Sequence, residues 1–347
     1  MLLMFTNPGA ARSSFLLIVL LTLAVAVPCL PQDVPATQRP RKVFSKEQEP
    51  EDVLRIDTDL VSVDVTAINA QGIPVKNLRQ EDFKVFSDGV EQPVSFFQIE
   101  KREGELRPLA IVFALDVSGS MTSEEMNRVR MALRLFSGQL AQHPVVYAVM
   151  TFGMRVKTIQ KFTKDPEKLD QSIERLVRDA PEGLSTHTYD AVDDAIRLLV
   201  KSAPRTKERR LMKRAVLVVT DGFPAGDTVA PQTVIERANA ADVSIFAVTL
   251  PSYSRMMASS SQKPLPTPLD VSGLTEFTGG RNVYANENDY GPLFRSIAEE
   301  VTSSYVLAFY PPEEKRHDGK VHTIRVEGPN GLTLRQSRAE YKTIAKP

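Results

Sequence analysis

Leu109-Ala110-Ile111-Val112-Phe113-Ala114-Leu115-Asp116-Val117-Ser118-Gly119-Ser120 is the stretch whose reading decides the fold. Its first seven residues are apolar without interruption, as expected of a strand covered on both faces; a half-buried strand alternates instead. The run ends in Asp-x-Ser-x-Ser, and a helix signal follows at once. Thr122 and Glu125 have the spacing of a capping box, and Met126, Val129, Leu133, Phe136 and Leu140 fall on one helical stripe. The polar loop therefore sits at the carboxyl end of a buried strand, where open α/β sheets place their ligands.

Working outward toward the carboxyl end, strands and helices alternate. Val145 to Phe152 reads as a strand. Asp165-Pro166 opens a helix with Leu169, Ile173 and Leu176 on its inner side, and Tyr189, Val192, Ile196 and Leu199 mark a third helix. Ala215 to Thr220 is a second buried strand. Pro231 to Ala241 is helical, Val243 to Leu250 is a strand, and Leu269 to Thr278 reads as a helix ended by Gly279-Gly280. Asp289 to Thr302 is the last helix. Such alternation implies a doubly wound, mostly parallel sheet with helices on both faces.

The two ends of this region read differently. Leu60 to Ile68 alternates apolar and polar residues, and 83–86 and 94–99 read as further strands. Beyond the last helix come strands at 305–310, 321–326, 332–335 and 340–343, with no helix among them. They have no evident place in an α/β sheet. The expectation is a β-sandwich module built from both ends of the chain, with the α/β domain inserted in it. Lys101 to Arg107 reads as a charged linker. The basic run Lys207 to Arg210, with Lys213 and Arg214, reads as a solvated loop without the interleaved aromatics of a nucleic-acid site.

Lysine plus arginine equals aspartate plus glutamate at 43 each in 347 residues, so no global field selects nucleic acid or an anionic membrane surface. The single cysteine, Cys29, excludes an internal disulfide and a Cys-based zinc site. Arg12, the apolar run Phe15 to Val27 and the Ala24-x-Ala26 pattern read as a signal peptide cut near Ala26; the run is too short to span a bilayer. The product is expected to be secreted or periplasmic. Pro28 stands where a lipoprotein signal needs a small residue, so Cys29 is not expected to carry lipid. Pro31, Pro35, Pro40 and Pro50 mark a spacer.

Asp116, Ser118 and Ser120 offer hard oxygen donors suited to Mg²⁺, Mn²⁺ or Ca²⁺ rather than zinc. Two later segments, Ser185-Thr186-His187-Thr188 and Thr220-Asp221-Gly222, supply more. The order Asp-x-Ser-x-Ser, Thr, Thr-Asp-Gly resembles the metal-ion-dependent adhesion site of von Willebrand factor A domains, integrin I domains included. The resemblance implies that Asp116, Ser118, Ser120, Thr186 and Asp221 hold one divalent cation directly or through water, with Mg²⁺ the first choice. Thr186 is assigned as the first threonine of its segment, while Thr188 caps the third helix. The segments "IDTDLVSVDVTAINAQGIPVKNLRQEDFKVFSDGVEQPVSFFQIE" and "YVLAFYPPEEKRHDGK" are further similar to the von Willebrand factor A-related family first described in acidobacteria. The expected division is a signal segment over 1–29, a linker over 30–52, a β module over 53–100, the A-type domain over 107–303, and closing strands over 304–347.

The implied function is adhesion-type protein binding. Two acidic ligands leave the ion with residual positive charge, and a partner's aspartate or glutamate completes its shell. An enzyme is not expected, because no motif places a general base beside the ion and His187 reads as a rim residue. The alternatives are an envelope assembly protein that binds through the β module with a structural ion, and a metal-dependent hydrolase. An accessory subunit of a cytoplasmic ATPase or chelatase conflicts with the signal segment.

Overall fold

The computed structural model describes residues 59–99, 101–102, 105–178, 183, 185–207, 210–252, 266–285 and 289–345. The expected signal segment, Cys29, the expected spacer and most of the Ser/Pro-rich stretch 252–268 lie outside these residues. Among the described residues, no helix is long and apolar enough to cross a membrane.

The chain opens with β1 (Val61–Ile68), β2 (Lys84–Ser87), β3 (Val90–Gln92), β4 (Phe96–Gln98) and a small hairpin of β5 (Lys101–Arg102) with β6 (Glu105–Leu106). The alternating part follows: β7 (Leu109–Asp116), α1 (Ser123–Gln139), β8 (Val145–Phe152), β9 (Lys157–Thr163), α2 (Pro166–Arg178) and α3 (Thr188–Ser202). A hairpin of β10 (Thr206–Lys207) and β11 (Arg210–Leu211) leads into β12 (Lys213–Thr220), α4 (Pro231–Ala240) and β13 (Val243–Thr249). Then come α5 (Pro268–Val271), β14 (Asn282–Tyr284), α6 (Gly291–Thr302), β15 (Tyr305–Phe309), β16 (Val321–Glu327), β17 (Thr333–Gln336) and β18 (Glu340–Lys342).

The central sheet runs β14-β13-β12-β7-β8-β9, parallel throughout except for β9, which returns antiparallel to β8. Strand β7 lies in the middle, and its side chains divide as its unbroken apolar sequence requires. Leu109, Ile111, Phe113 and Leu115 pack with α1, α2 and α6, while Ala110, Val112 and Ala114 pack with α3 and α4. The small alanines let α3 approach one face, and the larger residues fill the other. Phe113 stacks on Tyr147 and meets Phe136 edge-on. The Thr122–Glu125 capping box forms in both directions and starts α1.

Two antiparallel sheets, β17-β1-β15-β4 and β18-β16-β2-β3, each combine strands from both ends of the chain. They share one core: Val63 and Val65 of β1 and Leu307 and Phe309 of β15 meet Val85 of β2 and Ile324 of β16. Tyr305 ties the irregular stretch 69–79 to this core. Its hydroxyl donates to the Val75 carbonyl at 2.7 Å and accepts from the Leu78 amide at 3.1 Å. The expected fold class, an α/β layer structure with a β-sandwich contributed by both termini, is the fold observed.

Two sequence expectations fail for identifiable reasons. The segment 269–278 is not one helix: α5 ends at Val271, the chain turns at Gly273 (φ 71°), and only a short 3₁₀ turn, Glu276–Thr278, follows. Of the cations read as linker and solvated loop, Arg107, Arg210, Lys213 and Arg214 are buried instead. Arg107 donates to Asp64 of β1 at 3.1 Å and to Ser304, and Lys213 donates to Asp64 at 2.6 Å and to Ser244 at 2.8 Å. Arg214 bonds the Ala241 carbonyl. Burial alone would raise the Asp64 carboxyl, but Arg107 and Lys213 outweigh it and hold its pKa at about 2. This ion cluster joins the sandwich to the base of the central sheet.

Candidate metal centre

The chain runs from β7 to β8 on one side and later enters β12 on the other, so the sheet's winding reverses between β7 and β12. In open α/β sheets the ligand crevice lies at such a reversal, beyond the carboxyl ends of the strands. Asp116 is the last residue of β7 and Thr220 the last of β12, which places the Asp116-Val117-Ser118-Gly119-Ser120 and Asp221-Gly222 loops side by side at that crevice.

Four of the five expected ligands are joined by a continuous set of hydrogen bonds. Asp116 Oδ1 accepts from the Ser118 amide at 2.8 Å, and its Oδ2 accepts from Thr220 Oγ1 at 2.8 Å. Ser118 Oγ and Ser120 Oγ lie 3.1 Å apart, and Ser120 Oγ donates to Asp221 Oδ2 at 2.7 Å. Asp221 Oδ1 accepts from the Phe223 amide at 3.0 Å. Gly222 makes this turn with φ 84°, and a Cβ there would come within 2.9 Å of the Thr267 side chain, so the position accepts only glycine.

Thr186 reaches the centre through its backbone. Its amide donates to the Ala225 carbonyl and its carbonyl accepts from the Ala225 amide, both at 3.0 Å. The Gly119 amide donates to the Gly183 carbonyl at 2.7 Å, so all three loops are cross-linked by main chain. Thr186 is buried, but its hydroxyl takes no part in the bonds that join the other four. Thr188 does not cap α3 as expected. It is the first helical residue, and its hydroxyl donates back to the Thr186 carbonyl.

The cap comes from across the site, through Asp190 and Asp227, neither of which is among the five expected ligands. Asp227 Oδ1 accepts from the Asp190 amide in the first turn of α3 at 2.9 Å. In return Asp190 Oδ1 accepts from the Thr228 amide at 3.0 Å, Thr228 Oγ1 at 3.0 Å and the Val229 amide at 2.8 Å. His187 Nδ1 lies 3.1 Å from Asp190 Oδ2. This reciprocal clamp holds the loop that carries Thr186 to the loop that carries Asp221. A separation of 37 residues hides it from any local pattern.

Charge sets the chemistry of the crevice. Asp116 is almost fully buried, and its carboxyl is pushed up to about 6, first by burial and then by the charge of Asp221; the Ser118 and Thr220 bonds oppose the shift. Two carboxylates and two hydroxyls turned toward one another form an all-oxygen set of the kind that suits a hard divalent cation. Asp227 is likewise raised, mainly by burial.

Residues 110–264 match the model of the von Willebrand factor type A domain. Comparison with curated proteins gives no match. Similar solved structures include an aerotolerance-related membrane protein from Bacteroides fragilis, 13% identical, covering 56% of this chain and 98% of that one with a TM-score of 0.41. BatB from Bacteroides thetaiotaomicron is 16% identical over 56% of this chain and 97% of its own, with a TM-score of 0.39. Proximal thread matrix protein 1 of the mussel byssus, with a zinc-occupied metal-ion-dependent adhesion motif, is 12% identical, and the match spans 58% of this chain but only 47% of that one, with a TM-score of 0.41. By the family match and by the α/β layers built around β7, the chain carries a von Willebrand factor type A domain.

Proposed function

We propose that the protein is an exported binding protein whose A-type domain holds one divalent cation, Mg²⁺ by preference, and offers it to an acidic residue of a protein partner. Asp116, Ser118, Ser120, Thr186 and Asp221 would hold the ion. The observation that carries this reading is the bonded array from Asp116 through Ser118 and Ser120 to Asp221 at the reversal point of the sheet. When bound, the cation supplies an electrophilic centre that attracts a carboxylate once the interface excludes water. The residues of the chain do the rest. Asp116 and Asp221 set the charge, the serine hydroxyls fill out the shell, and the Asp190–Asp227 clamp keeps Thr186 in place opposite them.

The site suits binding rather than catalysis, because the Ser120 and Thr220 hydroxyls donate to its carboxylates. The division into signal segment 1–29, linker 30–52, β module 53–100 with 304–347, and A-type domain 107–303 belongs to the same proposal, as does export. The experiment is affinity capture from the native envelope in Mg²⁺ and in chelator, with Asp116→Ala as control. Partners retained only by the wild-type protein in Mg²⁺ support the reading. Partners retained equally in chelator and by the variant overturn it.

A further inference from the structure

We propose that His187, Asp190 and Asp227 form a second cation site, beside the first and chemically distinct from it, that takes a borderline divalent transition metal such as Zn²⁺. One ring nitrogen and one oxygen from each carboxylate all lie within 4.8 Å of one another. A single point therefore lies no more than roughly 2.8 Å from each, against the ~2.0–2.2 Å of a zinc–nitrogen or zinc–oxygen bond, and a side-chain shift under about 1 Å closes the difference.

Two further observations point to a ligand. Asp227 Oδ2 is buried and has no hydrogen-bond partner among the described residues, although Oδ1 of the same carboxylate is engaged. Buried carboxylate oxygens are seldom left without a partner, and a cation supplies one. Gly226 (φ 89°) passes close to the imidazole: a Cβ there would stand 3.2 Å from His187 Nε2, so the glycine leaves that edge of the ring uncovered.

The donor set separates the two sites. The crevice around Asp116 is all oxygen and favours Mg²⁺, whereas an imidazole with two carboxylates favours zinc-like ions. The two sites share no ligand.

The test is calorimetric titration of Zn²⁺ into the protein under saturating Mg²⁺. The wild-type protein is expected to bind one equivalent. His187→Gln, which leaves the Asp190–loop bonds intact, is expected to weaken that equivalent at least tenfold while Mg²⁺ affinity stays unchanged, and Asp227→Asn is expected to weaken it by at least the same factor. Asp116→Ala is expected to lose Mg²⁺ and keep the Zn²⁺ equivalent. Absence of a Zn²⁺ equivalent in the wild-type protein would overturn the proposal. So would an equivalent that Asp116→Ala abolishes and that His187→Gln and Asp227→Asn retain, which would place the zinc in the first crevice.

Discussion

Replacing Asp116 with asparagine should stabilise the metal-free protein, although it removes a ligand from the site. The carboxyl sits at about 6 against an ordinary 3.8, so ionising it in the fold costs about 3 kcal/mol more than in the unfolded chain. The sign follows from linkage. A folded pKa above the unfolded one means the folded state keeps a proton that the unfolded chain has released. Stability therefore falls as pH rises from about 4 to about 6 and stays lower above that. Asparagine carries no charge for burial or Asp221 to oppose. Its carbonyl oxygen can still accept from the Ser118 amide, and its amide can donate to Thr220 Oγ1, which turns from donor to acceptor. Allowing for imperfect replacement, a gain of about 2 kcal/mol is expected at pH 7 in chelator, or roughly 3 °C in Tm for a chain of this size. Thermal and urea unfolding at pH 7 and pH 4.5 in chelator measure it. The gap should shrink toward zero at pH 4.5, and saturating Mg²⁺ should raise only the wild-type protein. A variant less stable than wild type at pH 7 in chelator, or a gap independent of pH, would refute the reasoning.

Asp190→Ala removes the acceptor for Thr228, Val229 and His187, and should cost about 2 kcal/mol by urea unfolding and about tenfold in Mg²⁺ affinity; unaltered affinity would mean that the clamp does not position Thr186. Lys213→Met leaves the Asp64 carboxylate short of one of its two cations and should destabilise by about 3 kcal/mol, with Asp64→Asn in the same chain recovering part of the loss; equal midpoints for wild type and single variant would contradict a buried ion cluster. In the sandwich, burial pulls the His322 imidazole down, but its bonds to Asp88 at 2.8 Å and Asp318 at 3.1 Å more than offset that and raise its pKa. Its contribution to stability is therefore full below about 6.5 and is lost as pH rises through the higher folded value. Unfolding midpoints from pH 6 to 9 should decline in the wild type and stay flatter in His322→Gln.

Much of the fold is legible because burial is written into single segments. The unbroken run of β7 predicts a strand covered on both faces, and Thr122 with Glu125 predicts where α1 begins. What is missed is weakly patterned or non-local. Strand β9 is half-exposed along its length, so it shows neither a continuous run nor a clear alternation, and β14 has only three residues. Arg107 and Lys213 look like surface charges because their partner Asp64 lies 43 and 149 residues away. The candidate site divides in the same way. Asp116, Ser118, Ser120 and Asp221 are readable from two short motifs at strand ends, and the hydrogen bonds bring these four together. The exchange between Asp190 and Asp227 is set by how α3 packs against the loop after β12, and no spacing encodes it.

The most direct measurement is anomalous diffraction from a crystal of the protein grown in Mn²⁺ as a visible substitute for Mg²⁺. A peak is expected within bonding distance of Ser118 Oγ and Ser120 Oγ, flanked by Asp116, Thr186 and Asp221. Saturating Mn²⁺ with no density in that crevice, and the serine–aspartate bonds undisturbed, would contradict it.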